Sequence, residues 1–153
     1  MMEVKRLEHS DAVFARDAIV TLKITDPNLR RELTTDCLRH FLSRPENYLI
    51  VATEESKPVG YLVAYLLDRV DRVQTMMFFY EISVAEPYQR RGAGAAMIKL
   101  LKRFCQQEGV MKMWVHTNKS NLAAVRLYEA TGGEADASGD EITFLYEAKS
   151  RAD

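Results

Sequence analysis

The feature that most constrains the fold of this chain is a strand followed by a glycine-containing turn that opens a helix. It spans residues 80–94, with the sequence YEISVAEPYQRRGAG. A helix N-terminus leaves its first N–H groups without intrahelical acceptors and carries partial positive charge. Gly92 and Gly94 lack Cβ atoms that would keep an anion away, and Arg90 and Arg91 add positive charge. The segment therefore predicts a pyrophosphate-binding site at the start of the helix.

Two common phosphate-binding motifs are absent from this segment. Met97 stands where the dinucleotide fingerprint G-x-G-x-x-G needs its third glycine, and the pattern G-x-x-x-x-G-K-[ST] does not occur. The remaining residues, Gln89-Arg90-Arg91-Gly92-Ala93-Gly94, match the Q/R-x-x-G-x-G/A element of the GNAT acyltransferases. In that family this element binds the pyrophosphate of acetyl-CoA. Taken alone, the six residues would also suit a charged loop in front of an ordinary helix.

A second segment strengthens the resemblance. Residues 121–133, NLAAVRLYEATGG, resemble the second GNAT motif, N-x-x-A-x-x-L-Y-x-x-x-G-F, and they follow the first motif in the family's order. The sequence departs from this motif at Gly133, which replaces the usual aromatic residue. The chain is thus similar to the GNAT N-acetyltransferases over nearly its whole length.

Composition limits the class of protein. The 153 residues suit one compact domain, which we place at residues 1–149, followed by a C-terminal tail at 150–153. A net charge of −1 gives no reason to expect nucleic-acid binding. No apolar run approaches the roughly 18 residues of a membrane span, and the N-terminus does not resemble a signal peptide, so we expect a cytoplasmic protein without a membrane partner. Cys37 and Cys105 are expected to be free, buried thiols.

Hydrophobic periodicity indicates alternating strands and helices. Helices are predicted at about 10–22, from Pro27 to before Pro45, after Gly92, and at 121–131; strands are predicted around Val4–Arg6 and at 48–53, 59–67, 76–84, 111–116 and 141–147. The strand at 76–84 is apolar on both sides, which predicts burial on both faces. The resemblance implies an α/β class: a single-domain GNAT fold with a mixed, mostly antiparallel twisted sheet, helices on both faces and a splayed central strand pair.

The resemblance also implies acetyl-CoA as co-substrate. No metal is expected, because His9, His40 and His116 show no metal-ligand spacing with each other or with the cysteines. In that fold the strand carrying Ile82-Ser83-Val84 splays from the strand carrying Met113-Trp114-Val115, and the pantetheine lies in the opening like an extra strand. A bulge aims backbone N–H groups at the thioester carbonyl, a role we assign to the backbone of residues 82–84. A fully paired central strand is the alternative. The other implied cofactor-binding residues are Gln89, Arg90, Arg91, Gly92, Ala93, Gly94, Ala95, Asn121, Ala124 and Tyr128.

Two side chains are candidates for proton transfer. Tyr128 would be the general acid that protonates the departing CoA thiolate, although a tyrosine on a helix face can equally be a core residue. Glu81 would be the general base that deprotonates the acceptor ammonium, because apolar surroundings on the strand should raise the pKa of its carboxyl. An ion-paired glutamate is the competing interpretation of Glu81. Asn121 would contact the cofactor, serve as an N-cap, or do both.

The acceptor is suggested by a narrower resemblance, to the aminoglycoside 3-N-acetyltransferases. It rests on residues 59–67, 80–84 and 127–133, where an acid follows the strand tyrosine (Glu81) and glycine replaces the aromatic (Gly133). Substrate binding is assigned to Glu81, Asp140 and Glu141, within an acidic rim formed by residues 134–141, Asp68 and Asp71, which would attract a polycation. A solvated acidic loop is the alternative.

Three functions remain open at this point. The first is acetylation of an aminoglycoside, the second is acetylation of another amine such as a peptide, polyamine or metabolite, and the third is a non-catalytic acetyl-CoA sensor. A homodimer is also left open, because GNAT folds commonly pair through sheet edges or C-terminal strands.

Overall fold

A computed structural model describes residues 1–136 and 138–148. Within them lie strands β1 (Met2–Arg6), β2 (Asn47–Glu54), β3 (Lys57–Leu67), β4 (Thr75–Val84) and β5 (Val110–Trp114), and helices α1 (Ala12–Leu22), α2 (Pro27–Glu32), α3 (Thr35–Leu42), α4 (Ala93–Gln107) and α5 (Leu122–Ala130). Two short 3₁₀ helices occupy His9–Asp11 and Glu86–Tyr88. The predicted tail at 150–153 lies outside the described residues.

The five strands form one sheet in the order β1-β2-β3-β4-β5. Neighbouring strands are antiparallel except for β4 and β5, which are parallel because α4 carries the chain from one to the other. The hairpin between β2 and β3 turns at Glu55 and Ser56, which both have positive φ, at 49° and 66°. This is the mixed, mostly antiparallel sheet predicted from the sequence.

Helices cover the two faces of the sheet. On one face α4 packs over β2, β3 and β4, and Tyr48, Leu62 and Phe79 are buried beneath Met97 and Leu101. On the other face α1 and α3 cover β2 and β3 through a second apolar cluster. That cluster contains Leu7, Ala12, Ala15, Ala18, Leu38, Leu49, Val51, Tyr61 and Val63. Two separate apolar layers therefore hold the sheet, as hydrophobic burial on both sides requires.

The helix predicted from Pro27 onward is two helices. Asp26 caps α2, where its side chain accepts a hydrogen bond from the N–H of Asn28, and Pro27 occupies the first turn. Leu33 then adopts an extended conformation. Thr34 caps α3 by accepting from the N–H of Cys37. A second N-capping side chain in the middle of the amphipathic pattern explains the break.

The prediction that residues 76–84 are buried on both faces is wrong. Met77 and Phe79 are buried beneath α4, whereas Tyr80 on the opposite face is 52% exposed. Helices α1 and α3 cover β2 and β3 on that face but leave β4 open. The apolar side chains there line a surface rather than a core. The expected burial of Cys37 is also wrong, because this free thiol is exposed, while free Cys105 is partly buried.

The strand predicted at 141–147 is absent from the described residues. The segment carries no regular secondary structure, and Ile142, Phe144, Leu145 and Tyr146 are between 72% and 91% exposed. Alternation of apolar and polar residues specifies which face a strand would bury, but a strand also needs a neighbour to pair with. Among the residues that the structure describes, the sheet ends at β5.

Among the described residues, no helix combines the length and the apolar character that crossing a membrane requires.

Candidate active site

The N-terminus of α4 is open. Gly92 precedes the helix with a φ of 91°, and the first helical hydrogen bond runs from the N–H of Ala96 to the carbonyl of Gly92 at 2.9 Å. The N–H groups of Ala93, Gly94 and Ala95 therefore have no intrahelical acceptor. Three backbone donors and the positive end of the helix dipole meet at this point, which is the geometry expected for an anion site.

The two glycines of this turn serve different purposes. A Cβ at Gly92 would meet no atom within 4 Å, so Gly92 is needed for its positive φ and leaves open space above the turn. A Cβ at Gly94 would lie 3.0 Å from Leu127 Cδ2 and 3.8 Å from Ile82 Cδ1. Gly94 therefore allows α4 to pack closely against α5 and β4. Access for an anion, the reason inferred from the sequence, stays a prediction for both glycines, and at Gly94 the close contact with Leu127 adds a packing reason.

The loop before α4 is tied to the end of β4. The side-chain amide of Gln89 donates to the carbonyl of Val84 at 3.0 Å. Arg90 adopts a positive φ of 61°. Arg91 forms an ion pair with Glu54 of β2 and lies 5.4 Å from the ring centroid of Tyr88. Gln89 thus positions the loop, while Arg91 already has a carboxylate partner.

Strands β4 and β5 separate beside this loop. Their pairing begins at Thr75 and Val110 and ends at Phe78 and Trp114. Beyond Phe78, β4 continues to Val84 and stays paired with β3 on its other side. The predicted splay between these strands is confirmed, and it leaves an open cleft along residues 79–84 of β4.

The backbone of β4 offers hydrogen-bonding groups to this cleft at every second residue. The N–H of Ala85 donates to Val59 of β3 at 2.8 Å, so the N–H of Ser83, two residues earlier, also points toward β3. The N–H and C=O groups of Ile82 and Val84 consequently point toward the cleft. The carbonyl of Val84 is the acceptor for Gln89, which agrees with this direction.

A β-bulge precedes these residues. In the pairing with β3, Glu81 opposes Val63 and Phe79 opposes Ala64, so Tyr80 is an extra residue in β4. Because of the extra residue, Tyr80 and Glu81 lie on the same face of the sheet, opposite α4. The sequence predicted that the backbone of a bulge at residues 82–84 would contact the thioester carbonyl. The bulge in β4 lies just before these residues.

Glu81 is paired with a residue that the sequence did not indicate. Its Oε1 accepts a hydrogen bond from Nζ of Lys23 at 2.6 Å, and the side chains of Lys23 and Glu81 are 46% and 28% exposed. Partial burial lowers the pKa of Lys23, but the hydrogen bond and negative charge of Glu81 outweigh it and raise the pKa above its ordinary value. Burial, reinforced by the charge of Glu81, raises the pKa of the neighbouring Tyr61. Lys23 lies 58 residues away in sequence, so no local pattern could have linked it to Glu81.

Tyr128 lies on α5 with its ring packed against the sheet, at 5.6 Å from the ring of Phe79. Burial raises the pKa of its phenol, which keeps the hydroxyl protonated at neutral pH. At the start of the same helix, Asn121 Oδ1 accepts from the N–H of Ala124 at 3.2 Å, so the expected N-cap is present.

The helix α5 ends in a turn that explains the departure at Gly133. Its N–H donates to the carbonyl of Tyr128 at 2.8 Å, and a Cβ at this position would lie 2.9 Å from that oxygen. A side chain at 133 would force this turn to shift, so the glycine fits the way this helix ends.

A row of aromatic rings crosses the open face of β4 beside Glu81. Tyr80 contacts Tyr65 at 5.8 Å and Phe78 at 5.7 Å between ring centroids, and Phe78 stacks on Trp114 at 5.2 Å. This surface was not predicted from the sequence, because the apolar pattern of β4 predicted burial on both faces. The uninterrupted run of aromatic residues around position 79 was the available signal.

Arginines neutralise one of the loops that the sequence predicts for the acidic rim around the acceptor. Asp71 is paired with Arg69 at 2.7 Å and with Arg72 at 3.5 Å, so its loop carries no excess of negative charge. Asp140 and Glu141 are exposed, and within the described part of the chain no hydrogen bond or ion pair joins either of them to Glu81. Over residues 1–136 and 138–148, no group of three His, Cys, Asp or Glu side chains is placed to hold a metal ion.

Known proteins share this fold. A solved aminoglycoside acetyltransferase, meta-AAC0020 from an uncultured soil metagenomic sample in complex with sisomicin, superposes with a TM-score of 0.78 at 23% identity, covering 97% of both chains. Aminoglycoside N-acetyltransferase AAC(6')-Iy in complex with CoA superposes with a TM-score of 0.74 at 16% identity, covering 98% of this chain and 96% of that one. These likenesses establish the fold.

Sequence comparison gives the family. The "[Ribosomal protein bS18]-alanine N-acetyltransferase" of Escherichia coli (strain K12) is 33% identical over 73 residues, which are 48% of this chain and 48% of the relative. The chain thus spans about half the length of the curated relatives of this kind that it matches. The family model described as "Acetyltransferase (GNAT) family" matches residues 16–132, which include the first motif, all but the last residue of the second, and the whole cleft. This chain therefore belongs to the GNAT family of acetyltransferases.

Proposed function

We propose that this protein is an acetyl-CoA-dependent N-acetyltransferase that modifies a primary amine, specifically the 3-amino group of an aminoglycoside. The observation that carries the proposal is that the open N-terminus of α4 lies next to the unpaired edge of β4, to which Gln89 attaches its loop. The two candidate proton-transfer side chains flank that strand, Tyr128 on its α4 side and Glu81 on the opposite face. Binding the diphosphate, orienting the thioester and transferring protons are the three tasks that acetyl transfer requires.

Acetyl-CoA would enter along the cleft. Its pyrophosphate would accept hydrogen bonds from the N–H groups at the start of α4, with Arg90 beside it. Its pantetheine would continue along β4, where Ile82 and the N–H of Val84 are directed toward the opening. Ser83 would contribute through its side chain only, because its N–H points toward β3. The CoA complex of a protein with the same fold supports this choice of cofactor.

The chemistry would then use Glu81 and Tyr128. The acceptor ammonium would give a proton to the carboxylate of Glu81, and the freed amine would attack the thioester carbonyl. A backbone N–H of β4 would stabilise the oxyanion, and the phenol of Tyr128 would protonate the departing thiolate. For Glu81 to accept that proton, the acceptor ammonium must first replace Lys23.

The open face of β4 supports a sugar-like amine as acceptor. An aromatic surface lies next to the Glu81 carboxylate and is formed by Tyr80, Phe78 and Trp114. The rings can pack against the weakly polar face of a sugar ring, and the carboxylate can bind its ammonium group. The sisomicin complex of a protein with this fold points in the same direction. Asp140 and Glu141 remain proposed substrate contacts, reached only if their segment folds toward this face.

A second acceptor class has its own support. The E. coli relative is named for an alanine of ribosomal protein bS18, and its match covers 73 residues at 33% identity. A peptide amine is therefore the main competitor. A non-catalytic sensor is the third candidate, and turnover of acetyl-CoA with any amine excludes it.

The proposed homodimer would give the C-terminal segment a partner. Ile142, Phe144 and Tyr146 would share one face if the segment were extended, and all three are exposed in the single chain. The outer edge of β5 carries no partner among the described residues. We propose that residues 141–147 of one subunit pair with β5 of a second subunit. This pairing would cover the exposed apolar side chains of the segment and the outer edge of β5.

We expect Gly92→Leu to weaken acetyl-CoA binding, because the side chain would fill the space above the α4 N-terminus. Gly109→Leu is the matched control: Gly109 lies just after the other end of α4, has a φ of 62° and also has open space around its Cβ position. Both variants incur left-handed backbone strain of about 1–3 kcal/mol. Calorimetric titration should show lost affinity in the first variant only; equal affinities would remove the pyrophosphate assignment.

We expect Tyr128→Phe to lower kcat by roughly ten- to a thousandfold while acetyl-CoA affinity stays near normal, because the ring packing on Phe79 is kept. Since burial raises the pKa of this phenol, the parent's activity should fall only in the alkaline range as the phenol loses its proton. The phenylalanine variant should lack that decline. Turnover at the parent level would mean that Tyr128 only packs.

We expect Glu81→Gln to lower kcat/KM about one hundred- to ten thousandfold near neutral pH, with a smaller deficit at higher pH, where more acceptor is already deprotonated. Gentamicin-type and kanamycin-type aminoglycosides, spermidine and a peptide with N-terminal alanine would be compared at low and high salt. Turnover of the peptide without any aminoglycoside would overturn the aminoglycoside assignment. Mapping the acetylated nitrogen distinguishes the 3-amino group from the others.

We expect the parent protein to sediment as a dimer and Phe144→Asp to sediment as a monomer, because a buried carboxylate would disrupt the pairing. Leu29→Asp, at an apolar side chain of α2 that is 53% exposed, is the control and should leave the dimer intact. Sedimentation velocity measures both. A parent that remains monomeric over a wide concentration range contradicts the proposal.

A further inference from the structure

The amine closest to the candidate base belongs to the protein itself. Lys23 follows the last residue of α1, and its Nζ donates to Glu81 Oε1 at 2.6 Å. The same nitrogen lies 6.0 Å from the ring centroid of Tyr61. Lys23 thus carries a primary alkyl ammonium at the place where the proposed reaction needs the ammonium of its acceptor.

The surroundings of Lys23 allow its amine both to stay bound to Glu81 and to react. Its stem is unbranched, and nearly half of the side chain is exposed, so the amine is held by Glu81 without being enclosed. Because the pKa of Lys23 is raised, the nitrogen is protonated at neutral pH and must lose a proton before it can attack a carbonyl. Glu81, already hydrogen-bonded to it, is the group placed to take that proton.

We propose that Lys23 is a self-acetylation site: the enzyme transfers an acetyl group from acetyl-CoA to its own Nζ. This inference rests on the proposed function, because it uses the same thioester and the same base. Glu81 removes one proton from Nζ, and the lone pair then forms an N–C bond with the thioester carbonyl carbon. The C–S bond breaks, the thiolate leaves and is protonated by Tyr128, and the second proton on nitrogen is released to water. The products are Nε-acetyl-Lys23 and CoA.

A second lysine provides an internal control. Lys5 of β1 also forms an ion pair with a carboxylate, Asp11, at 2.9 Å, and its side chain is 61% exposed. Strand β1 lies at the opposite edge of the sheet from β5, with two strands between β1 and β4. Uncatalysed acetylation depends on exposure and basicity, so it should modify Lys5 at least as readily as Lys23. Preference for Lys23 therefore reports catalysis at the Glu81 site.

The experiment incubates the full chain with acetyl-CoA and no acceptor, and follows each lysine by peptide mass spectrometry. We expect Lys23 to be acetylated at least about tenfold faster than Lys5, the lower end of what a positioned base contributes. The rate per molecule should not change with protein concentration, because the amine and the site belong to one chain. An added amine substrate should slow the reaction by competing for Glu81.

Two matched substitutions separate the sites. Glu81→Gln should reduce acetylation of Lys23 to the rate at Lys5, whereas Asp11→Asn, the same change at the partner of Lys5, should leave Lys23 unaffected. Lys23→Arg should abolish the modification at this position, and circular dichroism checks that each variant is folded. If Lys23 is modified no faster than Lys5, or if its rate rises with protein concentration, the proposal is overturned.

Parallel assays with external amines distinguish this failure from failure of the proposed function. Acetylation of an external amine without acetylation of Lys23 overturns self-acetylation and leaves the function standing. Acetylation of neither an external amine nor Lys23 overturns both.

Discussion

The candidate site depends on one extra residue in β4. Because Tyr80 is inserted into the pairing with β3, Tyr80 and Glu81 point to the same side of the sheet, away from α4. A regular strand would direct Glu81 to the opposite side from Tyr80, under α4, where a carboxylate would be buried among apolar side chains. The bulge thus brings a carboxylate and an aromatic surface together, within the stretch of β4 that lacks a partner on its β5 side.

Close packing around Gly94 couples the cofactor-facing elements. The absence of a side chain lets α4 approach Leu127 of α5 and Ile82 of β4, while Gln89 attaches the preceding loop to Val84. The open helix N-terminus, the cleft-facing backbone of β4 and the helix that carries Tyr128 are consequently held at fixed spacing. An extended ligand that contacts all three gains affinity because these groups need no rearrangement.

The ion pair between Lys23 and Glu81 stabilises the structure only modestly. An ion pair whose side chains are 46% and 28% exposed contributes at most about 1 kcal/mol, since solvent screens it. Lys23 therefore neutralises Glu81, yet a competing ammonium can displace it at little cost. A polycation that also contacts the aromatic surface can offset this cost through several contacts, whereas a simple monoamine makes fewer of them.

The sequence alone determined the features that depend on local chemistry. The glycine-containing turn, the α5 motif and the hydrophobic periods predicted the family, the mixed sheet, the β4–β5 splay and most elements to within a few residues. These features could be predicted because caps, positive φ angles and apolar spacing act between residues that are close along the chain. The roles assigned to Glu81 and Tyr128 remain predictions of the same motifs.

Only the tertiary structure decided which distant groups meet. It paired Lys23 with Glu81, gave Gly94 a packing role against Leu127, left one face of β4 uncovered and left residues 141–147 without a strand to pair with. Each of these outcomes depends on contacts between segments that are remote in sequence. Local pattern can specify which face of an element is apolar, but what covers that face is decided by how the whole chain packs.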